Sequence, residues 1–302
     1  MDIRNIHLVY FSATFTTRKI LREIARVMGG NVIEHDITCG RPSAKVMVDG
    51  EHDVLVAGAP VYAGRVPRQA AEALRAFSGN GGPAVIACVY GNRDYDDALA
   101  ELQDIVDRQG FKTVAAGAFI ARHCIFNDVA ADRPDTDDMR KIDNFATECA
   151  RLLASTPDVS ALPEPTVKGN RPYKESKALP LFPSADAELC DGCQTCARQC
   201  PAGAIPEESP CQTDGDKCIS CGRCTVICPR HARAFRGMPY EQIVDKFVKA
   251  NAVRREPETF FPAPVNTLRT HDRQRPLTTP HRTTSATTGS RQHHPTQARS
   301  PA

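Results

Sequence analysis

Eight of the thirteen cysteines fall into two copies of one spacing. Cys190, Cys193, Cys196 and Cys200 precede Pro201, and Cys218, Cys221, Cys224 and Cys228 precede Pro229. This pattern, C-x2-C-x2-C-x3-C-P twice over, is that of thiolates holding two [4Fe–4S] cubanes. Three cysteines at intervals of three wrap a short loop around one cube face, each thiolate reaching a different iron. The fourth is too close in sequence to close the same cube, and where this run occurs twice it ligates the other cluster. The expected sets are Cys190, Cys193, Cys196 and Cys228 for cluster one, and Cys200, Cys218, Cys221 and Cys224 for cluster two. Pro201 and Pro229 turn the chain away. Gly192 and Gly222 permit tight loops with backbone N–H groups near sulfide. A cubane moves single electrons, so electron transfer is the expected chemistry.

The rival readings of these thiols are weaker. Zinc sites usually take four ligands as two C-x2-C pairs, without the trailing proline. A disulfide framework needs an export context, and the chain opens on the strand-like Ile6–Phe11 with no apolar export region. The other cysteines, Cys39, Cys88, Cys124, Cys149 and Cys211, form no pattern. All but Cys211 lie in or beside apolar segments and read as small core residues. Cys211 falls in the loop between the runs, as a spare thiol.

A second group of residues could hold a phosphate. Ser12, Thr14, Thr16 and Thr17 stand where a first strand ends and a helix begins. There the amide groups point inward, the helix dipole favours an anion, and hydroxyls add donors. Helix capping alone would need fewer hydroxyls. No Walker lysine pattern supports a nucleoside triphosphate, and no Rossmann glycine motif supports direct NAD(P)H binding. Two further loops, 59–67 and 90–95, follow later strands. Tyr62 and Tyr95 are candidates to stack on a flavin ring, with surface aromatics as the alternative. Pro60, Asn92 and the backbone around Gly64 and Gly91 complete the candidate flavin contacts. Arg93 would lie near the ring, or be a surface arginine.

These residues need a scaffold. Residues 1–155 alternate apolar runs, at 6–11, 32–37, 53–60, 83–90 and 113–120, with amphipathic stretches. The runs at 54–57 and 85–89 are apolar without alternation, as strands buried on both faces should be. Helices are expected over Thr17–Met28, Pro67–Phe77, Ala98–Gln109 and Asp137–Leu153. Strand–helix repetition predicts an α/β fold with a doubly wound, five-stranded parallel sheet in the flavodoxin-like order, with FMN at its switch point. Residues 156–186, with six prolines, read as an extended linker that packs across the first domain. A small α+β cluster domain over 187–236 follows, then a C-terminal helix within 237–262. The two cysteine runs, 28 residues apart, form the internal repeat. Residues 263–302 are rich in Thr, Arg, His and Pro and are expected to be disordered. Their histidines, His271, His281, His293 and His294, offer a metal-binding tail as an alternative, but the spacing is irregular and the composition favours the plain reading.

Bulk properties exclude other classes. The tail holds six Arg against one Asp, which leaves 32 basic against 35 acidic residues in 1–262. A mildly acidic body gives no electrostatic case for nucleic acid. No apolar stretch is long enough to span a bilayer, and the absence of a targeting segment predicts the cytoplasm.

The chain resembles the ferredoxin–flavodoxin fusion family, a flavodoxin-like domain followed by a bacterial-type two-cluster ferredoxin domain. The matching residues are 11–14 with Thr16 and Thr17, Ala59–Arg65, Val89–Tyr95 and both cysteine runs, within residues 3–262. Phe15 stands where flavodoxins often have glycine. The resemblance implies two [4Fe–4S] clusters and FMN, relaying electrons between one- and two-electron chemistry. A redox protein or a small-molecule acceptor would be the partner. Two alternatives stay open. One is a flavin-dependent reductase of a small molecule, with His123 as proton donor or as a plain loop histidine. The other is a cluster module whose flavodoxin-like domain is empty, which Phe15 favours.

Overall fold

Unbroken apolar runs become the buried strands of a parallel sheet. The computed structural model describes residues 1–176 and 180–263, so the expected disordered tail lies outside the described residues beyond Ala263. The first half runs β1 (Asn5–Tyr10), α1 (Thr16–Met28), β2 (Asn31–Asp36), β3 (Val46–Val48), β4 (Asp53–Pro60), α2 (Arg68–Leu74), β5 (Phe77–Gly79), β6 (Pro83–Tyr90), α3 (Ala98–Arg108), β7 (Lys112–Ile120) and α4 (Thr136–Ser155). The cluster region adds β8 (Ser184–Ala185), α5 (Thr195–Arg198), α6 (Arg223–Ile227) and β9 (Arg233–Ala234). The described chain ends in α7 (Tyr240–Ala250) and β10 (Glu258–Phe260).

The main sheet has the order β10-β7-β6-β4-β1-β2. Its five parallel strands follow the flavodoxin-like 2-1-3-4-5 arrangement, reversing direction of winding at β1 and β4. Every residue of β6 is buried, and so is β4 up to Ala59. β2, at the edge, is largely exposed. α1 and α4 cover one face through Ile20, Leu21, Ile24, Ile142, Phe145 and Cys149. α2 and α3 cover the other through Ala70, Leu74, Leu99, Leu102 and Val106. α4 starts on a capping box, in which the Asp135 carboxylate accepts from the Asp138 amide and the Asp138 carboxylate from the Asp135 amide, both at 3.0 Å. Asp138, 1% exposed, also pairs with the buried Arg133.

The helices lie within a few residues of the expected spans, but α2 stops at Leu74 because Phe77 enters β5. That strand pairs with β3 in a small parallel sheet. β10 pairs antiparallel with β7 and covers the sheet's edge. A helix is the expected element within 237–262; three residues of edge strand are too few for a periodicity. Residues 163–174 run along α3. The Asp97 carboxylate accepts from the Asn170 and Lys174 amides at 2.7 Å, Arg171 grips Asp104, and Tyr173 stacks under Arg65.

Candidate functional site

The two cysteine runs fold as copies of each other. Positive φ recurs at Gly192 and Ser220, at Gln194 and Gly222, and at Gly203 and His231, each pair 28 residues apart. Gln194 and Gly222 open the short helices α5 and α6. The amides of Ala204 and Ala232, four residues past Cys200 and Cys228, each donate to that cysteine's Sγ at 3.3 Å. The Ser220 amide donates to Cys218 Sγ at 3.4 Å. Such N–H···S contacts stabilise thiolate sulfur.

The grouping of the thiols crosses between the runs. A small cavity is lined by Cys218, Cys221 and Cys224 of the second run together with Cys200 of the first. Its remaining walls include Pro183, Pro201, Ile205 and Ile219. The charge of Cys200 acts on Cys218, Cys221 and Cys224, and that of Cys228 on Cys196. Burial pushes the Cys224 thiol up to about 11 and Cys221 well above its ordinary value. Thiols held so dry stay protonated unless a metal takes the proton's place. Four thiols around one apolar cavity with amide donors to sulfur therefore fit a cubane. Cys211 lies against Cys190, which raises its own proton affinity.

At the carboxyl ends of β1, β4, β6 and β7 lies a wide crevice with about 2310 Å³ of open space. Thr14, Thr16 and Thr17 line it at the start of α1, where the first amides of a helix have no intrahelical partner. Pro60 and Tyr62 line the next wall. Tyr62 and Arg65 exchange backbone hydrogen bonds of 3.0 and 3.1 Å around Ala63 (φ 51°) and Gly64 (φ 80°), a type I′ turn. Gly91 and Arg93 line the third wall, with Arg93 paired to Asp96. The linker residues 174–176, the loop 121–126 and the cluster-two loop 216–220 close the crevice. The crevice thus ends on Cys218, a wall of the thiol-lined cavity.

The walls are fastened to one another. Gly222 approaches the Cys124 carbonyl so closely that a Cβ would lie 2.8 Å from it. Arg223, 7% exposed, donates to the Ala13 carbonyl at 3.3 Å and to Gln199 Oε1 at 2.9 Å. Its guanidinium lies 5.2 Å from the Phe15 ring, with Arg18 4.7 Å from it. Phe15 itself has φ 68°, the left-handed conformation glycine favours. The loop thus keeps a glycine-like path despite the side chain.

Other expected residues sit outside the crevice lining. Ser12 is buried and its Oγ accepts from the Arg18 amide at 3.0 Å, satisfying a first-turn donor of α1. Gly64 serves the turn. Asn92 binds the Asn251 and Val253 carbonyls and accepts from the Arg255 amide. Tyr95 is 1% exposed, packed against Tyr90, with its hydroxyl on Glu258 at 2.8 Å. His123 does line the crevice, and its Nδ1 accepts from the Ile125 and Phe126 amides at 3.1 Å. Burial pushes it down to about 4, helped by Arg93, so its ring is neutral at neutral pH and its Nδ1 is occupied. Cys124 reads from sequence as a core residue, and nothing there gives Lys174 or the 216–220 loop a place in the crevice; the position of Cys124 past the last parallel strand is the available signal.

Comparison with known proteins follows the same partition. Residues 183–205 and 212–234 match the model of the 4Fe-4S binding domain. Over 48 residues the chain is 46% identical to a component of the ion-translocating oxidoreductase complex of Methanosarcina acetivorans, which is 16% of this chain and 18% of that protein. The match therefore spans under a fifth of that relative's length. Among solved structures, a short-chain flavodoxin associated with a non-canonical PDU bacterial microcompartment is 18% identical, with a TM-score of 0.39 over 51% of this chain and 100% of its own. Oxidised flavodoxin 1 from Bacillus cereus is 15% identical, with a TM-score of 0.36 over 49% and 97%. No helix among the described residues is long and apolar enough to cross a membrane.

Proposed function

We propose that this chain, a flavodoxin-like sheet joined to a two-motif 4Fe–4S binding domain, relays electrons between two [4Fe–4S] clusters and FMN. The observation that carries the reading is the shared wall: Cys218 lines both the thiol-rich cavity and the crevice at the switch point of the sheet. FMN supplies the exchange between paired and single electrons, and cubanes supply single-electron transfer. The chain's own residues bind and orient these groups. Cys190, Cys193, Cys196 and Cys228 would hold cluster one, and Cys200, Cys218, Cys221 and Cys224 cluster two. Thr14, Thr16 and Thr17 with the first amides of α1 would hold the phosphate. Tyr62 would pack on the ring; burial and the neighbouring Cys221 and Cys124 keep its hydroxyl protonated. Arg93 would offer a cation at the third wall.

The glycine-like path of Phe15 supports an occupied flavin site over an empty one. The crevice is open to solvent, which favours one second reading, reduction of a small acceptor that enters beside the flavin. An anaerobic preparation analysed for iron, acid-labile sulfide and flavin tests the main reading. About eight irons, eight sulfides and one FMN per chain are expected. Four irons or fewer, tightly held zinc, or no flavin after anaerobic reconstitution with FMN overturns it. Steady turnover of an organic acceptor by the purified holoprotein selects the second reading over a carrier.

A further inference from the structure

The two cluster motifs are near copies in backbone, and at one buried position an aliphatic side chain in the first is matched by a cation in the second. Ile205 lies five residues past Cys200 and is 6% exposed, as a buried aliphatic should be. The equivalent residue, five past Cys228, is Arg233, 3% exposed. Nothing among the ion pairs of the described residues supplies it a carboxylate. Its Nη2 donates to the Pro183 carbonyl at 3.1 Å and to Thr213 Oγ1, and its Nη1 donates to the Pro210 carbonyl. Nη1 also lies 4.0 Å from Cys196 Sγ. Arg233 Nε is buried and has no partner. A buried cation with an unmet donor is costly unless an anion faces it. Its charge acts on Cys196 on one side and on Cys218 and Cys224 on the other. A cubane with four thiolates is an anion and gains a further negative charge on reduction.

We propose that Arg233 is the shared counter-cation of both clusters, its fork fixed by backbone oxygens and its Nε–H left to cluster sulfur, so that it raises both reduction potentials above those an Ile205-like neighbour would give. This rests on the cluster reading. Arg233 is a positioning and tuning residue, and its readout is a potential. In anaerobic EPR-monitored titrations of the holoprotein, Arg233→Met keeps about eight irons. Its reduction constants fall at least about tenfold for each cluster, about 59 mV for a one-electron couple. Arg233→Lys, which keeps the charge, stays within about threefold of wild type, well inside that tenfold step. Fully loaded Arg233→Met at wild-type potentials overturns the proposal, and so does Arg233→Lys falling as far as Arg233→Met. Should Arg233→Met not assemble clusters, wild-type protein grown on 15N-arginine decides the matter by pulsed EPR after dithionite reduction. A 15N coupling that Arg233→Lys weakens supports the proposal; no difference between the two overturns it. Wild-type protein without iron would instead defeat the cluster reading itself.

Discussion

Crosswise ligation makes a prediction that single substitutions cannot mimic. Cys200 belongs to the first run by sequence but lines the cavity of the second run's thiols. Cys200→Ala should therefore unload the cluster held by Cys218, Cys221 and Cys224, removing about four of eight irons. Cys224→Ala should unload the same cluster, so the double variant Cys200→Ala/Cys224→Ala should still hold about four irons. The charge of Cys228 acts on Cys196. Cys200→Ala/Cys196→Ala should hold about none, because each substitution strikes a different cube. Ligation within each run predicts the reverse: about four irons lost in the pair from one run and all lost in the pair that spans both. Iron and sulfide analysis of the four proteins, with EPR to count reduced clusters, separates the schemes. If the Cys200/Cys224 pair loses all its iron while the Cys200/Cys196 pair keeps half, the assignment argued from the cavity is wrong.

Thr16→Asp places a negative charge in the first turn of α1, where the helix dipole favours it by about 0.3–1 kcal/mol. The same charge repels a phosphate. Denaturation should show unchanged or slightly higher stability, and fluorescence titration should show FMN affinity at least about tenfold weaker, about 1.4 kcal/mol. His123, held down to about 4, should show no titration of its ring by NMR between pH 8 and 5.5. Because the unfolded chain takes up that proton first, this residue's contribution to stability is full above about pH 6.5 and is lost as pH falls towards 4. Gly58→Ala sets a Cβ 2.6 Å from Leu21 and 3.0 Å from the Ala87 carbonyl, and overpacking of this kind should cost about 1–3 kcal/mol in chemical denaturation. Asp138→Ala takes from the buried Arg133 its near carboxylate, leaving the longer pair to Asp135, and should cost about 3 kcal/mol by the same measurement.

Much of this architecture was legible because its signals are local. The cysteine spacing names its chemistry, and the unalternating runs in β4 and β6 name strands covered on both faces. Thr14, Thr16 and Thr17 follow the first strand in sequence and line the crevice at the switch point of the sheet. What stayed illegible depends on distant packing. Tyr62 and Tyr95 both follow strand ends, yet Tyr95 turns inward because Glu258, on the distant β10, accepts its hydroxyl. Asn92 reads as a ligand contact but fastens the chain at 251–255. The 216–220 loop contains a cluster cysteine, and nothing in its composition says that it also walls the crevice. Arg233 carried a readable clue: laid over the first motif, it replaces an isoleucine.

β10 gives the cluster region a second anchor. The chain leaves the sheet after α4 and runs along α3. It builds both thiol nests and then comes back to hydrogen-bond with β7. A module hung from one end can pivot about its hinge, and its reaction rate then follows how often it finds the right pose. A module pinned at entry and exit has no such search. Electron exchange inside this chain should accordingly be set by fixed separation and driving force, and rapid-mixing rates should not slow as glycerol thickens the solvent.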